Sequence, residues 1–167
     1  MQYAGIIKND FAAAPGVCTT FFTQGCPHHC PGCHNPETWD FKGGKEFTPE
    51  VIDELLEALQ ANGIKRKLCI MGGEPLCPEN QFLTYLVIKS IKDKLPETEV
   101  YIWTGYNLDD LINHHDKPDV RIKQILELTT AVIDGPYIAA ERDITLAMRG
   151  SRNQRIFYNI EGEFKEQ

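Results

Sequence analysis

Apolar residues recur along the chain in two rhythms, one suited to strands and one to helices. Residues 3–9 and 17–24 are dense in β-branched and aromatic side chains and predict two strands. Ala14-Pro15-Gly16 supplies the turn between them. Thr48-Pro49-Glu50 opens a helix, with a capping hydroxyl, a proline suited to the first helical position and an acid in the first turn. Val51, Ile52, Leu55, Leu56 and Leu59 then recur at helical spacing, and Asn62-Gly63 ends the element. Leu68-Cys69-Ile70-Met71 is apolar without alternation, as in a strand covered on both faces, and runs into Gly72-Gly73-Glu74-Pro75. A second helix is predicted from about Glu79 to Leu95, with Phe82, Leu83, Leu86, Val87 and Ile91 on its apolar side. Val100-Tyr101-Ile102-Trp103 predicts the next strand, ended by Thr104-Gly105-Tyr106. Beyond it the pattern weakens. Short helices are predicted over 108–113 and 120–126, a strand over Ala131-Val132-Ile133 that ends at Asp134-Gly135-Pro136, and a final strand over 156–160.

Strands alternating with helices predict parallel βα units, hence an α/β fold in a single domain over residues 1–167. Function gathers at the carboxyl ends of the strands in such folds, and Gly72-Gly73-Glu74-Pro75, Thr104-Gly105-Tyr106 and Asp134-Gly135-Pro136 lie at those ends. Hydrophobic content of 42% and charged content of 25% are ordinary for a globular chain. No apolar run approaches the ~20 residues of a membrane span. The N-terminal residues show neither the basic segment nor the apolar core of a secretory signal, so a cytoplasmic location is expected. A net charge of −7 argues against the basic face of a general nucleic-acid binder.

Candidate chemistry concentrates in Gly25-Cys26-Pro27-His28-His29-Cys30-Pro31-Gly32-Cys33-His34-Asn35. Thiolates are soft ligands that select zinc, copper(I) or iron–sulfur clusters. A tetrahedral structural zinc normally takes four protein ligands in two separated pairs, and no second CxxC pair follows downstream. Three thiolates on a four-iron cubane leave one iron open for a substrate or cofactor. The alternative is a zinc knuckle completed by His28, His29 or His34. Six cysteines clustered as three plus singletons favour ligation over a disulfide framework. Cys18 and Cys69 read as small buried hydrophobes, and Cys77 lies in a loop without an assignment.

Cys26-x-x-x-Cys30-x-x-Cys33 followed by Gly72-Gly73-Glu74-Pro75 resembles the radical S-adenosylmethionine (SAM) superfamily. Further words narrow the resemblance: Tyr3-Ala4-Gly5-Ile6-Ile7, Pro36-Glu37-Thr38-Trp39, Trp103-Thr104-Gly105-Tyr106, Asp134-Gly135-Pro136-Tyr137 and Arg149-Gly150-Ser151-Arg152-Asn153-Gln154-Arg155. With them the chain resembles, over nearly its whole length, the activating proteins of anaerobic (class III) ribonucleotide reductase. The resemblance implies a small, partial (β/α) barrel of the radical SAM type. It implies Cys26, Cys30 and Cys33 as ligands of a 4Fe–4S cluster, and Gly72, Gly73 and Glu74 at the methionyl ammonium of SAM. Much of the superfamily has an aromatic residue where this chain has Gly32, so adenine is expected against the backbone of Gly32, Cys33 and His34. The implied enzyme is a radical SAM oxidoreductase. It generates a 5′-deoxyadenosyl radical and installs a glycyl radical on its protein substrate, the anaerobic ribonucleoside-triphosphate reductase. A low-potential electron donor such as a flavodoxin is implied as a second partner. No side chain is nominated as catalytic beyond the cluster and SAM.

Several residues keep two readings. Glu74 is a cofactor contact or a solvated loop acid. Asp134 faces the sulfonium or ribose, or caps the turn before Gly135-Pro136. Trp103 and Tyr106 read as core or rim aromatics. His34 and Asn35 are placed to hydrogen-bond near a cluster. Gly150–Arg155 binds a carboxylate, a phosphate-like group or a partner, or is simply solvated. Two rival functions stand beside the activator: a small-molecule radical SAM enzyme such as a 7-carboxy-7-deazaguanine synthase, and a non-enzymatic iron–sulfur or zinc protein.

Overall fold

A computed structural model describes residues 1–113 and 120–167. Among them are strands β1 (Gln2–Asp10), β2 (Cys18–Thr23), β3 (Lys45–Glu46), β4 (Lys67–Gly72), β5 (Val100–Trp103), β6 (Ala131–Asp134), β7 (Arg155–Ile160) and β8 (Glu163–Glu166). They form one sheet in the spatial order β3-β1-β2-β4-β5-β6-β7-β8. The four central strands β2, β4, β5 and β6 run parallel. Antiparallel strands flank them on both sides. The sheet is open, with β3 and β8 at its ends, and the fold is mixed α/β.

The apolar runs become parallel strands because both faces of the sheet's centre are covered. In register across five strands, Phe21, Ile70, Ile102, Val132 and Phe157 form one buried row. Helices α1 (Pro49–Gln60), α2 (Pro78–Lys94) and α4 (Val120–Glu127) pack over that row through Leu55, Leu83, Ile88, Ile91 and Ile125. The short α3 (Leu108–Ile112) adds Leu108 to the same core. The opposite face carries Cys18, Cys69, Tyr101, Ala131, Ile133 and Ile156 as a second, smaller cluster. Cys18 and Cys69 are therefore buried packing residues, as expected. No helix among the described residues is long and apolar enough to cross a membrane.

Three details depart from the sequence reading. Strands β3 and β8 were not anticipated: β3 is only two residues long, and in β8 a single apolar residue, Phe164, stands among charged ones. The β7–β8 hairpin turns on Glu161 and Gly162, at φ 54° and 91°, the left-handed pair that suits a tight hairpin. Phe82, expected on the buried side of α2, is 51% exposed, with the Arg121 guanidinium over its ring. The helix is rotated because its first turns bury Asn80, Gln81 and Thr84 instead. Gln81 Nε2 donates to the Leu76 carbonyl at 3.0 Å and Thr84 Oγ1 to that of Pro75 at 2.8 Å, fastening the helix to the strand-end loop. Thr48 sits before Pro49 with extended backbone, but its hydroxyl makes no capping bond.

Truncating the central row tests this packing. Ile102→Ala is expected to lower stability by about 2–5 kcal/mol in denaturant unfolding, whereas Phe82→Ala should cost about 1 kcal/mol or less.

Candidate metal centre

The chain leaving β2 passes through Gln24 and Gly25 into the cysteine loop. A short backbone ladder closes this loop at its base: the Gly25 N–H donates to the Thr38 carbonyl at 2.7 Å and the Cys26 N–H to that of Trp39 at 3.1 Å. Gln24 is buried below the ladder, and its Nε2 donates to the Glu37 and Asp40 carbonyls. Within the loop the Cys33 N–H donates to the Cys30 carbonyl at 3.0 Å. Cys26, Cys30 and Cys33 are free, half-buried, and share one cavity of about 220 Å³ with Gly72, Gly73 and Glu74. Backbone N–H groups point at sulfur: Asn35 donates to Cys33 Sγ at 3.4 Å. Burial pushes the Cys26 thiol up, and N–H donors from His28 and His29 oppose that rise. Such donors compensate thiolate charge in a ligand set.

This donor set fits a cluster better than a single ion. Among the described residues no three His, Cys, Asp or Glu side chains converge as ligands of one metal ion, whereas thiolates around a cubane each take a different iron. The histidines proposed to complete a zinc site are placed otherwise. His28 is held by Glu74, while His29 lies against Trp39 and His34 near Tyr137.

Glu74, at the end of β4, is 1% exposed, so it is no solvated loop acid. Its carboxylate accepts from Leu76 N–H at 2.9 Å and from Thr104 Oγ1 at 2.8 Å through Oε1. Through Oε2 it accepts from Gly105 N–H at 2.7 Å and meets His28 Nε2 at 2.8 Å. One carboxylate thus joins the cysteine loop, its own loop and the loop after β5. The His28 ring packs edge-on to Tyr106 at 4.5 Å. A Cβ on Gly105 would stand 2.6 Å from the His28 ring, which is why that position takes glycine.

Gly73 serves the protein's own backbone. A Cβ there would stand 2.3 Å from the Gly25 carbonyl oxygen. That oxygen accepts the Glu74 N–H at 2.8 Å and Asn80 Nδ2 at 3.0 Å. The close approach at Gly73 is thus made to the residue before Cys26. His28 entered the sequence reading only as a ligand of the alternative zinc knuckle, and Asn80 not at all. Asn80 did carry a signal, as a polar residue in an otherwise apolar helical stripe.

Residues 12–157 match a family model described as a 4Fe-4S single cluster domain. The anaerobic ribonucleoside-triphosphate reductase-activating protein of Escherichia coli (strain K12) is 32% identical over 159 residues, 95% of this chain and 99% of that one. Its counterpart in Pasteurella multocida (strain Pm70) is 34% identical over 158 residues, 94% and 97% of the two chains. That of Enterobacteria phage T4 is 32% identical over 167 residues, 99% of each. The chain belongs to this family of activating proteins.

The remaining words singled out in the sequence are placed by the structure as follows. Asp134 is fully buried and takes neither of its two expected roles. Arg155 grips it through Nη2 at 2.6 Å and Nε at 3.1 Å, and the Leu108 N–H donates to it at 2.8 Å. Much of the Gly150–Arg155 segment is spent on holding itself in place. Gln154 Oε1 accepts from Gly150 and Ser151, Gln154 Nε2 donates to Gly135, and Asn153 Nδ2 donates to Pro136. Arg152 alone of its two arginines is exposed. Trp103 lines the cavity, and its Nε1–H donates to the Met148 carbonyl at 2.7 Å. Tyr106 is half-buried against the helix-side core, and burial pushes its hydroxyl up to about 12. Gly32, at φ 76°, and His34 are exposed, with Tyr137 close to both. Cys77 is wholly buried, its thiol is pushed up to about 12 by burial, and its Sγ donates to the Glu74 carbonyl. It is a neutral thiol packed behind the loop.

Two outcomes follow. Protein reconstituted without oxygen should carry about four irons per chain, and Cys26→Ala, Cys30→Ala or Cys33→Ala should abolish that iron. Cys18→Ala, Cys69→Ala and Cys77→Ala should retain it; iron analysis and visible absorbance check both sets. Gly73→Val should reduce iron uptake, because the new side chain displaces Gly25 and hence Cys26. Full iron loading in that variant would contradict the packing described.

Proposed function

We propose that this protein is a radical SAM activating enzyme that installs a glycyl radical on anaerobic ribonucleotide reductase. The observation that carries the reading is the shared cavity, where three free cysteines face the Gly-Gly-Glu-Pro loop at the carboxyl ends of parallel strands. Cys26, Cys30 and Cys33 would hold three irons of the cluster, leaving the fourth for SAM. The chemistry supplied by the bound cluster and SAM is one-electron cleavage of SAM to methionine and a 5′-deoxyadenosyl radical, which takes a hydrogen atom from a glycine of the target.

The chain's own residues bind, orient and shield. Backbone at Gly72 and Gly73 and the loop fixed by Glu74 would hold the methionyl end of SAM. The backbone of Gly32, Cys33 and His34, beside Tyr137, is left for adenine. We read the open sheet, with its four parallel strands, as the partial barrel of the radical SAM type. The electron comes from a low-potential donor, a flavodoxin being the suitable class.

The cavity volume also bears on the substrate. About 220 Å³ lies below the ~300–1,000 Å³ of pockets that enclose a drug-sized ligand. A site this shallow needs a further wall to exclude water from a radical. A protein segment inserted from the target supplies that wall, which favours a protein substrate over a small molecule. The loops over 35–47 and 135–155 frame the opening; of the loop over 105–119, residues 114–119 lie outside those described.

Reduced protein mixed with SAM and the anaerobic reductase of the same host should give a glycine-centred doublet in electron paramagnetic resonance. An intact cluster with bound SAM and no such doublet would contradict the assignment.

A further inference from the structure

Two indole rings line the cavity, and they differ in one respect. Trp103 Nε1–H is satisfied by the Met148 carbonyl at 2.7 Å. Trp39 Nε1 is buried and has no hydrogen-bond partner among the described residues. Buried donors are almost always paired, because an unpaired one forfeits its hydration for nothing. The other such atom among the described residues, Asn153 Oδ1, is an acceptor, and Asn153 is not part of the cavity wall.

The backbone shows what the Trp39 ring is placed beside. The Trp39 carbonyl accepts the Cys26 N–H at 3.1 Å, so the indole is carried on the residue paired with the first cysteine. Its ring packs against His29, which lies between Cys26 and Cys30, at a centroid distance of 4.8 Å. The acceptor this donor lacks would therefore belong to whatever the three cysteines hold, and cluster and thiolate sulfurs are acceptors without a proton of their own.

We propose that Trp39 Nε1–H donates a hydrogen bond to a sulfur of the bound 4Fe–4S cluster and so raises its reduction potential. The proposal rests on the cluster reading above. A donor aimed at sulfur stabilises the reduced, more negative form over the oxidised one, and hydrogen bonds to sulfur are among the terms that set such potentials. Trp39 is a positioning and tuning residue, since the ring takes no part in electron or hydrogen transfer.

Trp39→Phe keeps an aromatic ring and removes the N–H. Loaded with iron to the wild-type level, the variant should show a lower potential in a dithionite titration followed by electron paramagnetic resonance. In the wild type, labelling the indole nitrogens with 15N should give a nitrogen hyperfine coupling to the reduced cluster, lost in Trp39→Phe and kept in Trp103→Phe. An unchanged potential, or no coupling in the wild type, overturns the proposal. A coupling that appears only after SAM is added assigns the donor to SAM and overturns it too. If Trp39→Phe fails to load iron, the wild-type coupling, compared with Trp103→Phe, decides the matter alone. A wild type that takes up no iron defeats the cluster reading itself, and is recognised by the absence of any iron–sulfur spectrum.

Discussion

The site depends on one buried carboxylate. Glu74 sits where water cannot solvate it, and an uncompensated carboxylate there would cost several kcal/mol, on the order of the penalty for any unpaired buried ion. It is stabilised by four donors drawn from three loops. Hydrogen bonds to a charged group contribute about 1.5–3 kcal/mol each. The carboxylate therefore holds the loops as firmly as they hold it. His28 brings the cysteine segment to this joint, Thr104 and Gly105 bring the end of β5, and Leu76 closes the loop of Glu74 itself. The Gly25 carbonyl reinforces it from below, bonded to Glu74 N–H and to Asn80. Two glycines are needed for the fit, Gly73 against Gly25 and Gly105 against His28.

A second buried carboxylate does the same for the far side of the sheet. Asp134 takes one edge of the Arg155 guanidinium, Nε and Nη2, and the first N–H of α3. The segment leading into β7 is thereby fixed over the end of β6, where Gln154 and Gly150 reach the cavity wall. The two carboxylates leave the rim built but shallow. That geometry suits chemistry done on a segment presented by another protein, and the unpaired indole N–H of Trp39 suits a sulfur-rich occupant of the floor.

The legible parts of this structure were those governed by local periodicity. The central strands and α1 and α2 follow from apolar runs and helical spacing, and the cysteine spacing named the candidate ligands. What the sequence hid was pairing across distance. Nothing local marks His28 as the partner of Glu74, 46 residues away, or Asp134 as the partner of Arg155. Read singly, those acids looked like cofactor contacts or like loop and turn residues, not like partners of distant side chains. The resemblance placed Gly73 beside SAM, and nothing local marked its contact with the chain's own Gly25. Phe82 shows the reverse failure: its spacing fitted the apolar stripe, but Asn80, Gln81 and Thr84 were needed inward to fasten the strand-end loop.

The central claim is that Glu74 couples the cysteine loop to the loops after β4 and β5. Hydrogen exchange of backbone amides, compared between the wild type and Glu74→Ala, tests it most directly. The account predicts that protection falls together at Leu76, at Gly105 and across residues 26–33, while the row through Ile70 and Ile102 stays protected. Loss confined to residues 74–76, with the cysteine loop unchanged, would contradict it.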